Sequence, residues 1–339
     1  MPELASLGRQ YASHPNHTTL VRTAGIDNVP IRVAVHEVGP RGADHVVVFI
    51  HGVFADHRTW RYIAGAMLDS TNTLILDLPG CGESDKPDPD DVPASTYTVP
   101  DLARRTLEAL RAQLGERADK PRIHFVGHSL GGAVVMRMYI DERLRTEFAD
   151  VLDRVDRSVF IAPLDVAVEK THPVLIELAR ISGVRIWSAR QLGVLQDRVA
   201  AGVLESTSDP SRALREECDW KVQTLRSVKC RRAMQAMLQR AVPYKDGRPD
   251  WDAIDPVVAG YPKFTPPTLI IWGVHDEVLP VSMGYKLASQ LPNARLVTLS
   301  KGRHSVTVEE PSLIAHLISA WFRGEEPGRE VPTAIPLGQ

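Results

Sequence analysis

The sequence predicts an α/β protein built on a mostly parallel sheet, with a long helical insertion, and three observations carry that prediction. Short, nearly continuous apolar runs recur along the chain: HVVVFI (45–50), TLILDL (73–78), RIHFVG (122–127), SVFIAP (158–163), TLIIWG (268–273) and RLVTLS (295–300). Such runs suit strands buried on both faces of a parallel sheet. Amphipathic helical patterns separate most of them, which is the alternation of parallel strands with right-handed crossovers. From about Asp165 to Tyr261 the alternation stops and only helical stripes remain.

Taken in order, Thr19–Thr23 and Ile31–Val38, with Asp27 and Asn28 between them, form an antiparallel hairpin leading into the sheet. A helical pattern covers Arg58 to Leu68, and a second covers Pro100 to Leu114. In the latter, Ala103, Leu107, Leu110 and Leu114 make one apolar stripe. A third helix opens at Leu130 and runs toward Leu144. The stretch after Asp165 carries the stripes Leu192, Leu195, Val199, Val203 and Met234, Met237, Leu238, Ala241, interrupted by the turn-rich PYKDGRPD (243–250). We therefore divide the chain into a core of residues 1–164 and 262–323, a helical cap subdomain of 165–261, and a C-terminal tail, 324–339, without a packed role.

Composition removes several functional classes. Forty Lys+Arg against 42 Asp+Glu give a formal net charge of −2, which supplies no electrostatic footprint for nucleic acid or an anionic membrane. No apolar run approaches the roughly 18 residues of a membrane span. The N-terminal stretch lacks a basic region followed by an apolar one, so no secretory signal is expected. Cys81, Cys218 and Cys230 are an odd, scattered set, which argues against a disulfide framework or zinc site and for the cytoplasm. The expected partner is a small-molecule substrate, and a homodimer is allowed.

The chemistry centres on GHSLGG (127–132), which follows one apolar run and opens a helix. Strand, glycine-bearing turn, then helix is the setting of a nucleophile elbow, so Ser129 is the candidate nucleophile. A serine hydroxyl needs a base, and His304, in the loop after RLVTLS, would approach the same sheet edge. The base needs a carboxylate to fix its tautomer. Asp276, just past TLIIWG, is the first choice, Asp165 its rival, and Glu277 the neighbour most easily mistaken for it. Two backbone N–H groups would hold a developing oxyanion: that of Leu130, after the nucleophile, and that of Val53 in HGVF, with Phe54 as second choice. His51 is read as structural, DLPGCGESDKP (77–87) as scaffolding, and Cys81 as unreactive.

HGVFADHRTWR (51–61), DLPGCGESDKP, GHSLGG, WGVHDEVLP (272–280) and GRHSVTVEEP (302–311) together resemble the α/β-hydrolase fold superfamily, framing residues 19 to 323. The resemblance implies a central sheet flanked by helices, a helical cap over the site, a triad of Ser129, Asp276 and His304, and oxyanion amides at Val53 and Leu130. A serine rather than an aspartate nucleophile argues against dehalogenase and epoxide hydrolase chemistry. It leaves a carboxylic ester hydrolase acting through an acyl-enzyme, with a C–C bond hydrolase of diketone-like substrates and a receptor-like binding protein as alternatives. No metal or organic cofactor is expected. The cap stripes, with Trp187 and Trp220, favour a largely hydrophobic substrate, and Lys229, Arg231 and Arg232 read as a solvated helix face.

Overall fold

Nine strands form one sheet in the order β1-β2-β4-β3-β5-β6-β9-β10-β11. They are β1 (Asn16–Thr23), β2 (Ile31–Val38), β3 (His45–Ile50), β4 (Asn72–Asp77), β5 (Arg122–His128), β6 (Val155–Ile161), β9 (Thr268–Gly273), β10 (Ala294–Leu299) and the short β11 (Glu330–Val331). The hairpin β1–β2 is antiparallel and joins β4 antiparallel, whereas every pairing from β4 to β11 is parallel. In the computed structural model, residues 2–14, 16–68, 71–115, 117, 120–165, 212–245, 248–328 and 330–331 are described.

Alternation along the strands sends side chains to two apolar layers. Val46, Val48 and Ile50 of β3 join Leu74, Leu76 and Phe125 on one face, under helix α3 (Val99–Leu114) and helix α4 (Leu130–Ile140). Val47 and Phe49 join Ile75, Val126 and Ile271 on the other, against Trp60 and Ile318. The expected helix at 58–68 is a 3₁₀ turn, His57–Trp60, followed by a single α-turn, Arg61–Gly65. The helix after Ser129 ends at Asp141, whose carboxylate caps the next short helix, Glu142–Glu147, at the N–H groups of Arg143 and Leu144.

Between β6 and β9 the described residues hold three α-helices, Arg212–Arg226, Val228–Ala241 and Trp251–Val258, and a 3₁₀ turn, Tyr261–Lys263. They also hold a two-residue-per-strand hairpin, β7 (Tyr244–Lys245) with β8 (Arg248–Pro249), where PYKDGRPD turns back on itself. Among the described residues the insertion is thus helical apart from that hairpin and the connecting turns. Leu192, Leu195, Val199, Val203 and Trp187 lie outside the described residues. Met234, Met237 and Ala241 are buried as their spacing predicts.

Two expectations need correction, and one element is added. Arg231 is not on a solvated face: it is buried, and its guanidinium donates to the Leu225 carbonyl, 2.8 Å away, near the end of the preceding helix. The segment expected to be an unpacked tail contributes β11, whose Glu330 and Val331 pair with Thr298 and Leu299. An N-terminal helix, Pro2–Ser13, was not foreseen. No described helix is long and apolar enough to cross a membrane.

Candidate active site

Ser129 joins β5 to α4 with φ 51° and ψ −118°, a left-handed conformation that costs a non-glycine residue about 1–3 kcal/mol. The surrounding backbone holds it there. Its N–H donates to the Ile161 carbonyl at 3.0 Å, and its own carbonyl accepts from Gly132 at 3.0 Å and Leu164 at 2.9 Å. The turn also needs bare backbone beside it. A β-carbon on Gly131 would lie 2.1 Å from the Ile50 carbonyl oxygen, so only glycine lets α4 start against the end of β3. A β-carbon on Gly52 would stand 3.0 Å from that of Ser129, which shows how closely the HGVF loop approaches the hydroxyl.

Asp276 and His304 reach each other because two strand-end loops are laced together. Val274 donates to Leu299 and His275 to Gly302, each at 3.0 Å. The indole of Trp272 donates to the Leu279 carbonyl at 2.9 Å, tying the loop back to β9. Asp276 is buried; its Oδ1 accepts from the N–H groups of Val278 (2.9 Å) and Leu279 (2.8 Å). Its Oδ2 lies 2.8 Å from Nδ1 of His304. A carboxylate there fixes the proton on Nδ1 and leaves Nε2 as the basic nitrogen. Glu277 is exposed. Asp165 is buried, and Tyr261 donates its phenolic hydrogen to Oδ1 of that carboxylate.

Ser129, Leu130, His304, Val53 and Phe54 line one cavity. The remaining wall is largely apolar, from Leu164, Leu238, Val278 and Val308 among others. Helix Arg212–Arg226 adds Glu217 and Lys221. Trp220 does not line the cavity; it lies under the Arg58 guanidinium, 4.6 Å from ring centre to cation.

Four residues near the site take partners that the sequence did not assign. His128, between the elbow's glycine and serine, donates from Nε2 to the His304 carbonyl at 3.1 Å. Burial, aided by the neighbouring His304, pushes its pKa down to about 3, so it is neutral. His36 and His57 both bond Asp77 Oδ2 at 2.9 Å, while Asp77 also accepts from the N–H groups of His57 and Glu83. Burial opposes a charge on Asp77, but these donors outweigh it and hold the carboxyl well below its usual range. Among the described residues these three are the group whose donor atoms, all within 4.8 Å, approach closely enough for a metal ion. Asp77 bonds both imidazoles and the loop N–H groups, and Nδ1 of His36 lies 2.9 Å from the Thr18 hydroxyl. Only the pairing of distant strands could have revealed them.

His51 behaves as a structural residue: Nδ1–H donates to the Gly52 carbonyl at 2.7 Å, and Nε2 accepts from Leu78 at 3.0 Å. It links the HGVF loop to the loop after β4. Burial lowers its pKa and keeps it neutral. Burial also raises the Cys81 thiol well above its usual value, which leaves it protonated.

The family model described as "Alpha/beta hydrolase family" matches residues 47–317. The chain is 23% identical over 277 residues to the uncharacterised hydrolase YugF of Bacillus subtilis (strain 168), covering 82% of this chain and 89% of that protein. Its fold is similar to that of the esterase RhEst1 from Rhodococcus sp. ECU1013, with a TM-score of 0.67, 16% identity and coverage of 91% and 99%. It is similar too to 2-hydroxy-6-oxo-6-phenylhexa-2,4-dienoate hydrolase from Rhodococcus sp. strain RHA1, with a TM-score of 0.66, 19% identity and coverage of 91% and 100%. The order of the strands, the strand–serine–helix turn and the extent of the family match agree: the chain belongs to the alpha/beta hydrolase family.

Proposed function

We propose that the protein is a serine hydrolase that cleaves a carboxylic ester through an acyl-enzyme on Ser129. One observation carries this reading: a serine held in a strained strand-to-helix turn and a histidine backed by a buried carboxylate open onto the same cavity. His304 Nε2 takes the Ser129 proton as the hydroxyl oxygen attacks the ester carbonyl. The tetrahedral oxyanion is held by the N–H groups of Val53 and Leu130. His304 then protonates the leaving alcohol, and water, deprotonated by the same nitrogen, releases the acid. Each step moves protons and an acyl group, so no electron acceptor is required. All three cysteines are free thiols, which supports a reducing compartment, the cytoplasm.

The test is turnover of short p-nitrophenyl esters. The wild type should hydrolyse them, and Ser129→Ala and His304→Ala should each remove all but about 1 part in 10⁴ or less of kcat. Full activity in either variant would refute the mechanism. Cleavage of a vinylogous 1,5-diketone with little ester turnover would move the reaction to C–C hydrolysis on the same residues.

A further inference from the structure

Among the described residues, the cavity that Ser129 and His304 share is lined by a single Lys or Arg side chain, that of Lys221. The acyl-transfer chemistry does not use it. It comes from helix Arg212–Arg226 of the insertion, whereas Ser129 and His304 come from turns at the strand ends. Its side chain is 24% exposed, and its Nζ makes no hydrogen bond to another described residue. Glu217, one helical turn earlier, approaches it only to 3.7 Å, beyond hydrogen-bonding distance. The three N–H donors of the ammonium are thus left to water or to a ligand. The charge of Lys221 also reaches the catalytic end of the cavity. After burial and His304, it is a further cause of the low pKa of His128, the residue before Ser129.

Charge decides what kind of group fits there. Glu217 is shared with a second cation: its Oε2, closed off from solvent, lies 3.6 Å from the Arg61 guanidinium. Arg61 is tied down, donating to the Arg58 carbonyl at 2.7 Å and to the Tyr62 hydroxyl at 3.0 Å. Two cations therefore face one carboxyl group, so positive charge is in excess whether or not that carboxyl holds a proton. A substrate ammonium would be a third cation. Much of the remaining wall is apolar, with Leu164, Leu238, Val278 and Val308, and an ion placed there would lose its hydration without gaining a partner. A carboxylate that reaches Lys221 gains both an opposite charge and hydrogen-bond donors.

We infer that Lys221 is a specificity-determining residue, and that the preferred ester carries a carboxylate remote from the scissile carbonyl, bound by the Lys221 ammonium. This adds an acidic end to the largely hydrophobic substrate that the sequence suggests. It rests on the ester hydrolase reading given above. The insertion then selects the substrate by charge, while the strand-end turns of the core carry the chemistry.

The experiment compares kcat/KM for matched esters at neutral pH. On the acyl side these are monomethyl esters of dicarboxylic acids of five to eight carbons against methyl esters of alkanoic acids of the same length. On the alcohol side they are acetyl esters of ω-hydroxyalkanoic acids against alkyl acetates. At least one carboxylate-bearing member should exceed its match by about 10-fold or more. Lys221→Met should collapse that ratio and Lys221→Arg, which keeps the charge, should restore much of it. A folding defect would instead lower both members alike. Lys229→Met, at an exposed lysine of the next helix, should leave the ratio as it is. Equal rates for every matched pair, a ratio that survives in Lys221→Met, or a stronger preference for a choline ester would overturn the proposal. Labelling by a fluorophosphonate separates the two claims. A labelled Ser129 without carboxylate preference sinks the Lys221 assignment alone, and an unlabelled Ser129 sinks the hydrolase reading beneath it.

Discussion

His128 holds His304 by its backbone: their ring centres are 5.0 Å apart, and the Nε2–H of His128 donates to the His304 carbonyl at 3.1 Å. The base of the proposed triad is thus fixed at two points, its ring by Asp276 and its main chain by a neutral histidine.

That neutrality makes the fold sensitive to acid. In the unfolded chain a histidine takes up its proton near pH 6.5. In the folded protein burial, with the charge of neighbouring groups, keeps both His128 and His124 neutral down to about pH 3. Below pH 6.5 the unfolded chain binds more protons, so stability should fall as the pH drops through that window. Between pH 6.5 and 5 the loss is about 2 kcal/mol per histidine. Urea unfolding at pH 7 and pH 5 measures it, and His128→Gln should flatten the slope. An unchanged slope in that variant would contradict the assignment of a buried neutral imidazole.

Asp276→Asn tests the carboxylate. The asparagine oxygen can keep the bonds from Val278 and Leu279, so the loop should hold and the melting temperature should stay nearly constant. Its amide would then face His304 Nδ1 and donate to it, forcing the proton onto Nε2, the nitrogen that must act as base. kcat should fall by about 10⁴-fold. Asp165→Asn, at a carboxylate bonded to Tyr261, should change kcat by no more than a few-fold. A large loss at Asp165 with a small one at Asp276 would relocate the acid.

Gly131→Ala tests the elbow's packing. The added methyl would lie 2.1 Å from the Ile50 carbonyl oxygen, with backbone on both sides and no flexible side chain to yield. We expect a loss of about 3 kcal/mol or more, read as a fall in the urea midpoint, with esterase activity lost beyond what unfolding explains. A stable, fully active variant would mean that α4 starts elsewhere.

How much of this was legible in the sequence follows from which contacts are local. The sheet strands were visible because burial on both faces writes continuous Val and Ile runs, as in HVVVFI and TLIIWG. The serine turn was visible because strand, glycine, serine, glycine and helix are consecutive. Asp276 and Glu277 are adjacent letters, and strand-end position favoured the residue that is buried beside His304. Arg231 was misread because its partner, Leu225, sits across a helix break, while its neighbours Lys229 and Arg232 suggest a wet face. His128, and Asp77 with His36 and His57, owe their roles to residues distant in the chain. Their spacing carries no periodicity, so nothing local announced them.

The proposed mechanism requires that Ser129 become acylated. The most direct measurement mixes the enzyme rapidly with an excess of a p-nitrophenyl ester, quenches in acid during the burst, and maps the modified peptide by mass. One acyl group is expected, on the peptide bearing Ser129, absent from Ser129→Ala and strongly reduced in His304→Ala. Steady turnover without an adduct, or an adduct on another residue that persists in Ser129→Ala, would contradict it.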